Sequence, residues 1–233
     1  MLIIASEVIN VRKKLIISSS SINTFYKNKS TYINKYLNKS SSNNTQKSKS
    51  LIFGTSIHST LNDFNLLPLK KQTKNSLQKL LNKNWITEGY NSNEEMLSEF
   101  VRARNMLDNY FDERKDIGKL LLSEQMIFYN VNSNLSICGK IDKVFINSDG
   151  KIELLDYKTG LHTNLMIDPT TDIQLPLYII LLKHKLNIIP NVISYYYLST
   201  NNKISLNISN DIINDSLERL KSVINDMNTQ IKL

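Results

Sequence analysis

Asp156 and Lys158 close an apolar run, Lys151-Ile152-Glu153-Leu154-Leu155, with Tyr157 between them. Side chains on a strand alternate faces with period two, so Asp156 and Lys158 share one side and Tyr157 takes the other. Fourteen residues before Asp156 stands Asp142, inside the run Ile137 to Ile146. A strand built from that run can set a second carboxylate beside the first. Two carboxylates and an ammonium in one pocket suit Mg²⁺-assisted phosphodiester hydrolysis. The anionic oxygens hold a hard cation, and the lysine orients the attacking water or offsets charge on the phosphoryl oxygens. An Asp-x-Lys by itself is also what a solvated edge strand carries, so its partners elsewhere in the chain decide between the two readings.

The spacing predicts the elements that must position these residues. Three strands, Leu120 to Val131, Leu135 to Ile146 and Lys151 to Tyr157, are joined by Asn132-Ser133-Asn134 and Asn147-Ser148-Asp149-Gly150, short turn-forming joints that suit antiparallel hairpins. A helix over 172–185 follows. After it come a strand over 192–199, whose three tyrosines suit a sheet, and a shorter strand over 203–208. In the closing helix Ile213, Leu217, Leu220, Ile224, Met227 and Ile231 form a stripe fit to pack on the sheet, with a partner helix as its other use.

Upstream, serines 18–21 offer N-caps to a helix carrying Ile22, Phe25, Tyr26, Ile33, Tyr36 and Leu37. The polar, low-complexity residues 38–50 read as a loop, or as an arm that orders on DNA. Phe53 to Phe64 reads as a helix with Ile57, Leu61 and Phe64 inward and His58 at one edge, ended by Pro68. Residues 71–116 look helical: Ser92-Asn93-Glu94-Glu95 forms a capping box, and Met96, Leu97, Phe100, Val101, Leu107, Tyr110 and Phe111 form a buried stripe. The expectation is an α/β fold in one domain over 1–233, with a mainly helical part at 1–116 and a mixed central sheet flanked by helices at 117–233.

Charge adds a partner class. Residues 1–50 hold Arg12 and eight lysines against Glu7 alone, which equals the net charge of +8 for the whole 233-residue chain. A basic arm neutralises phosphates without reading sequence and gives salt-sensitive binding. The competing explanation is a composition rich in Asn, Lys and Ile, which places lysines without selecting them. The single cysteine, Cys138, cannot form an internal disulfide, and no apolar run approaches the roughly 20 residues of a membrane span. The short Met1 to Ala5 stretch precedes its basic residues, unlike a secretory signal. These features predict an intracellular protein, of cytoplasm, nucleoid or organelle matrix, with no membrane partner.

Four motifs stand in order: Gly54-Thr55-Ser56-Ile57-His58, Gly139-Lys140-Ile141-Asp142, Asp156-Tyr157-Lys158-Thr159-Gly160 and Gln174-Leu175-Pro176-Leu177-Tyr178. The set resembles the RecB-like branch of the PD-(D/E)XK nuclease superfamily, with its GxxxH, GxxD, DxK and QxxxY motifs. Ile17 to Tyr26 is similar to that family's N-terminal helix, so the resemblance covers nearly the whole chain. It implies a restriction-endonuclease-like core and a catalytic set of Asp142, Asp156 and Lys158. It also implies Mg²⁺ or Mn²⁺ held by His58, Asp142, Asp156 and the Tyr157 carbonyl.

Gln174 and Tyr178, four residues apart on one helical face, could reach a phosphate or base edge while bracing the site, with plain packing as the alternative for Tyr178. Lys140 shares a face with Asp142 and either contacts the scissile region or pairs with the carboxylate. Glu124 reads as a carboxylate behind the ligands, or as a solvated strand charge. Two departures from the family matter. Several RecB-like nucleases bind an iron–sulfur cluster through four cysteines, which a chain with only Cys138 cannot do, and Cys138 is expected to be a small buried hydrophobe. No GxxxxGK[ST] phosphate loop is present, so no ATP site is expected and any unwinding must come from a helicase or repair partner.

The expected activity is a metal-dependent DNA nuclease, an exonuclease on single strands or ends serving repair or recombination. The alternatives are an endonuclease or CRISPR-type end-processing enzyme, and a non-catalytic DNA-binding or helicase-associated module.

Overall fold

Ser18 and Ser21 exchange side-chain-to-backbone hydrogen bonds in both directions, at 3.1 and 2.8 Å, and so open α1, Ser19–Lys27. The structure is a computed structural model that describes residues 15–38, 48–160 and 172–231. The first residues of the basic arm (1–14), most of the expected loop with Lys39 (39–47), and residues 161–171 lie outside it.

The expected first helix is in fact divided. Asn28 ends α1 and caps α2, Lys29–Tyr32, its Oδ1 accepting from the Thr31 N–H at 2.9 Å, because a short amide side chain competes with the helix for backbone donors. A π turn, Ile33–Leu37, follows. α3, Lys49–Asn65, starts earlier than its apolar spacing suggested, since Ser48 supplies an N-cap to the Leu51 N–H. α4, Lys74–Asn84, and α5, Asn93–Asp112, divide the long helical stretch.

At the start of α5 Ser92 caps the Glu95 N–H, but the Glu95 carboxylate turns to the Asn91 N–H and Lys49, so only half of the expected capping box forms. The stripe on α5 also differs. Ala103, Met106, Leu107 and Tyr110 are buried, whereas Leu97 and Val101 are more than half exposed, since the first turns of α5 extend past the core.

Six strands form one mixed sheet. β3, Leu135–Ile146, is its hub. β2, Lys119–Asn130, runs antiparallel along one edge of β3. On the other edge lie β1, Leu15–Ile17, parallel to Leu135–Ile137, and β4, Ile152–Lys158, antiparallel to Lys143–Ile146. β5, Val192–Tyr197, is parallel to β4 after the crossover through α6, Gln174–Leu186, and β6, Asn202–Asn207, closes the far side. Among the described strands, β1 is the one that sequence spacing did not suggest. Three apolar residues carry no period of their own and become a strand only beside β3.

Helices cover both faces of the sheet. One core joins α1, α2, α6 and α7, Asn210–Gln230, to the sheet, and the whole expected stripe from Ile213 to Ile231 is buried in it. A second core joins α3, α4 and α5 to Phe145, Leu155, Tyr157 and Tyr196 on the other face. The observed class is the expected α/β one. Among the described residues no helix is long and apolar enough to cross a membrane.

One irregularity positions the site. Ile141 and Val144, three apart on β3, lie in the same core, which a strict period of two forbids. β2 changes phase at the same level: Leu122 and Ile127 share that core, and between them Glu124 adopts a left-handed φ of 47°. Ser123 pairs with Lys143 and Gln125 with Ile141, so Glu124 stands opposite Asp142. A non-glycine residue with positive φ inside a strand is strained, and such strain gathers at functional sites.

Candidate active site

His58 is carried toward this irregularity by α3, whose buried face, Ile57, Leu61 and Phe64, packs against the sheet. Its Nδ1 lies 2.8 Å from Glu124 Oε1 and 3.4 Å from Asp142 Oδ1. Burial alone would lower the imidazole pKa, but Asp142 and Glu124 outweigh it and push the ring up to about 10. Asp142 is raised to about 6 by burial and by repulsion from Asp156, against the pull of His58. Burial also pushes Glu124 up, but His58 and Lys140, which is ion-paired to its Oε2, hold it below the ordinary value.

Asp156 and Lys158 stand beside this group on β4. Their shared face is as the period of two predicts: Lys158 Nζ lies 2.6 Å from Asp156 Oδ2. The ammonium also donates to Gln174 Oε1 at 2.9 Å; Gln174 Nε2 donates to the Tyr178 hydroxyl at 3.0 Å; and that hydroxyl donates to Asp156 Oδ1 at 2.8 Å. The four side chains close a ring that fixes both reactive groups. Tyr178 is buried and its hydroxyl is fully used inside the ring, which fits bracing better than reaching a phosphate. α6 comes this close because Gly139 is a glycine: a Cβ there would sit 3.0 Å from Leu181 Cδ1 and 3.7 Å from the Tyr178 ring.

Tyr157 ties the site to the opposite core. Its N–H donates to Asp142 Oδ2 at 2.8 Å, while its hydroxyl donates to the buried Asp116 at 2.5 Å. Asp116 also takes the Tyr110 hydroxyl and the Lys143 ammonium, at 2.9 and 2.6 Å. Burial pushes the Asp116 carboxyl up, but Lys143 and Arg114 outweigh it and hold the group at about 2. Asp116 was not singled out from the sequence, because its partners come from α5, β3 and β4 and no local spacing links them.

Tyr195 and Asp172 were missed for the same reason. The Lys158 ammonium lies 5.1 Å from the centre of the Tyr195 ring, and the Tyr195 hydroxyl donates to Asp172. The signal was the parallel pairing of Asp156 with Tyr195, which only strand register reveals.

The donors fit a divalent cation. One ligand atom each from His58, Glu124 and Asp142 lie within 4.8 Å of one another, and two hard carboxylates with one imidazole suit Mg²⁺ or Mn²⁺. Glu124, expected behind the ligands or as a solvated strand charge, lies beside His58 and Asp142 in this trio. Asp156 lies outside that trio, its oxygens engaged by Lys158 and Tyr178. Lys140 is half exposed and reaches Glu124 rather than Asp142. Cys138 is only half buried.

The family model that describes the PD-(D/E)XK nuclease superfamily matches residues 16–232. The chain belongs to that superfamily. Asp142 and the Asp156-Tyr157-Lys158 stretch meet here through the hydrogen bond from the Tyr157 N–H.

Among solved structures, a Eubacterium rectale protein named provisionally as an exonuclease aligns with a TM-score of 0.54 at 14% identity, over 94% of this chain and 82% of its own. That likeness is one of fold. A structure named SSO0001 aligns with a TM-score of 0.27 at 11% identity, over 79% of each chain, and carries no argument. No curated protein matches significantly.

Proposed function

We propose that this chain is a RecB-like deoxyribonuclease that uses Mg²⁺ or Mn²⁺ and degrades DNA from single strands or ends, in repair or recombination. The observation that carries the reading is the meeting of His58, Glu124 and Asp142, a ready cation site, with the braced Asp156–Lys158 pair. When bound, a divalent cation supplies Lewis-acid polarisation of the phosphoryl group and a more acidic water.

The protein's own groups do the rest. Asp142, Glu124 and His58 would hold the cation, with Asp156 and the Tyr157 carbonyl as further ligands. Lys158, held by Asp156 and Gln174, orients the attacking water and offsets charge on the phosphoryl oxygens. Gln174 and Tyr178 keep that pair in place. The basic N-terminal fifth contributes sequence-independent phosphate binding, and Lys27, Lys29 and Lys35 on its described part are exposed. The chain acts as a single intracellular domain, with a helicase or repair partner supplying unwinding.

The test is purified protein with end-labelled linear and circular single strands and linear duplex, in Mg²⁺, Mn²⁺ or chelator. Cation-dependent loss of the linear single strand with the circle spared is the expected result. Cutting of the circle would favour the endonuclease or CRISPR-type reading, and binding without cleavage under either cation would favour a non-catalytic module.

A further inference from the structure

The β2–β3 ladder continues past the carboxylates. Ile127 on β2 and Ile141 on β3 are buried beneath α6, so their neighbours Met126, Phe128, Lys140 and Cys138 turn to the opposite face. The ion pair from Lys140 to Glu124 joins this face to the candidate cation site, whereas Asp156 and Lys158 project toward α6 on the other side of the sheet. In register, Glu124 stands opposite Asp142, Met126 opposite Lys140 and Phe128 opposite Cys138. The row thus runs from carboxylate pair to lysine to an apolar pair.

Phe128 is 64% exposed and Met126 51%, while Ile127 between them is 3% exposed. Single exposed apolar residues on a surface need no explanation, but these two are same-face neighbours in line with a cation site. Asp142 and Cys138 are four residues apart, about 13 Å along a strand at roughly 3.3 Å per residue. That distance spans roughly four nucleotides of a stacked strand at about 3.4 Å each, and fewer of an extended one.

We propose that Phe128, flanked by Met126, is a stacking platform for an unpaired base of the nucleic-acid substrate, a few nucleotides from the scissile phosphate. Lys140 lies between platform and cation site, where the intervening phosphate passes. The proposal rests on the nuclease reading of the same site. An aromatic ring accepts any base by its π face, so the platform selects single strands over duplex without selecting sequence. Bases in a duplex are already stacked and cannot use it.

The test is the affinity of the full-length protein for a short fluorescent single strand and for a blunt duplex, measured with chelator present so that nothing is cut. Loss of base stacking predicts that Phe128→Ala weakens single-strand binding roughly 5- to 150-fold. Duplex affinity and the salt slope should not move, because no phosphate contact is lost. Phe128→Trp should retain the affinity. Walking an abasic nucleotide along the strand should find one position that weakens the wild type and cancels the Phe128→Ala effect.

Melting curves of Phe128→Ala that overlay the wild type, expected for an exposed ring, separate binding from folding. Unchanged single-strand affinity, or equal losses on strand and duplex, would overturn the platform while leaving the nuclease assay intact. So would loss of a dimer in sedimentation, which would assign the patch to self-association. A wild type that neither binds nor cuts DNA under any cation would remove the nuclease reading and the platform together.

Discussion

Glu124 faces Asp142 across the β2–β3 ladder, and His58 Nδ1 lies between them, 2.8 Å from one carboxylate and 3.4 Å from the other. Like charges directly opposite on a sheet destabilise it, so this arrangement calls for positive charge. His58 and Lys140 supply some, and a divalent cation would supply more.

Mg²⁺ or Mn²⁺ should therefore stabilise the protein. At a hundred times its Kd a ligand adds about 2.7 kcal/mol, or roughly 5–10 °C of melting temperature for a chain of this size. Thermal melts with and without chelator read the shift, and Glu124→Gln or Asp142→Asn should reduce it sharply. A shift that persists in the double variant would place the ion elsewhere.

Asp156→Asn keeps an oxygen to accept the Tyr178 hydroxyl but removes the charge that holds Lys158. Cleavage should fall by roughly 10²-fold or more while DNA affinity largely survives. Single-turnover kinetics alongside equilibrium binding separate the two. Cleavage equal to wild type would rule out a role for Asp156 in the chemistry.

Tyr178→Phe keeps the ring against Gly139 and removes only the hydroxyl between Gln174 and Asp156. About 1 kcal/mol of stability and roughly a tenfold drop in kcat are expected, with DNA Kd unchanged. A rise in Kd with kcat intact would mean that the hydroxyl touches DNA rather than bracing the carboxylate.

Acid should unfold the protein through Asp116. Its folded pKa of about 2 lies below the ordinary 3.8, so its contribution is complete above about pH 5 and is lost as pH falls through 3.8 toward 2. Lys143, also buried, drops below the ordinary lysine value because burial outweighs the pull of Asp116, but that shift acts on the alkaline side. Asp116→Asn leaves the Lys143 ammonium without its counter-charge and should cost about 3–5 kcal/mol near neutral pH. It should also flatten the acid limb of a stability-against-pH curve followed by circular dichroism. A limb as steep as the wild type's would assign acid sensitivity to other carboxylates.

Much of the site was legible before the fold was known, because the relevant rules are local. Strand alternation alone places Asp156 and Lys158 together and Tyr157 behind them, and the ion pair and the buried phenol agree. Helical spacing alone puts Gln174 and Tyr178 on one face, and they are hydrogen-bonded. The hairpins, the final helix and the mixed sheet follow from turn residues and apolar periods in the same way.

Tertiary structure decided what depends on register and on partners distant in sequence. The pairing of β1 with β3, the phase change that sets Glu124 opposite Asp142, and the Asp116–Lys143–Tyr157 cluster each join segments many residues apart. No local period encodes them. A strand's own pattern says which residues share a face, but the neighbouring strand says which residue stands across from which. That second choice set Glu124 beside His58 and Asp142 and Phe128 opposite Cys138.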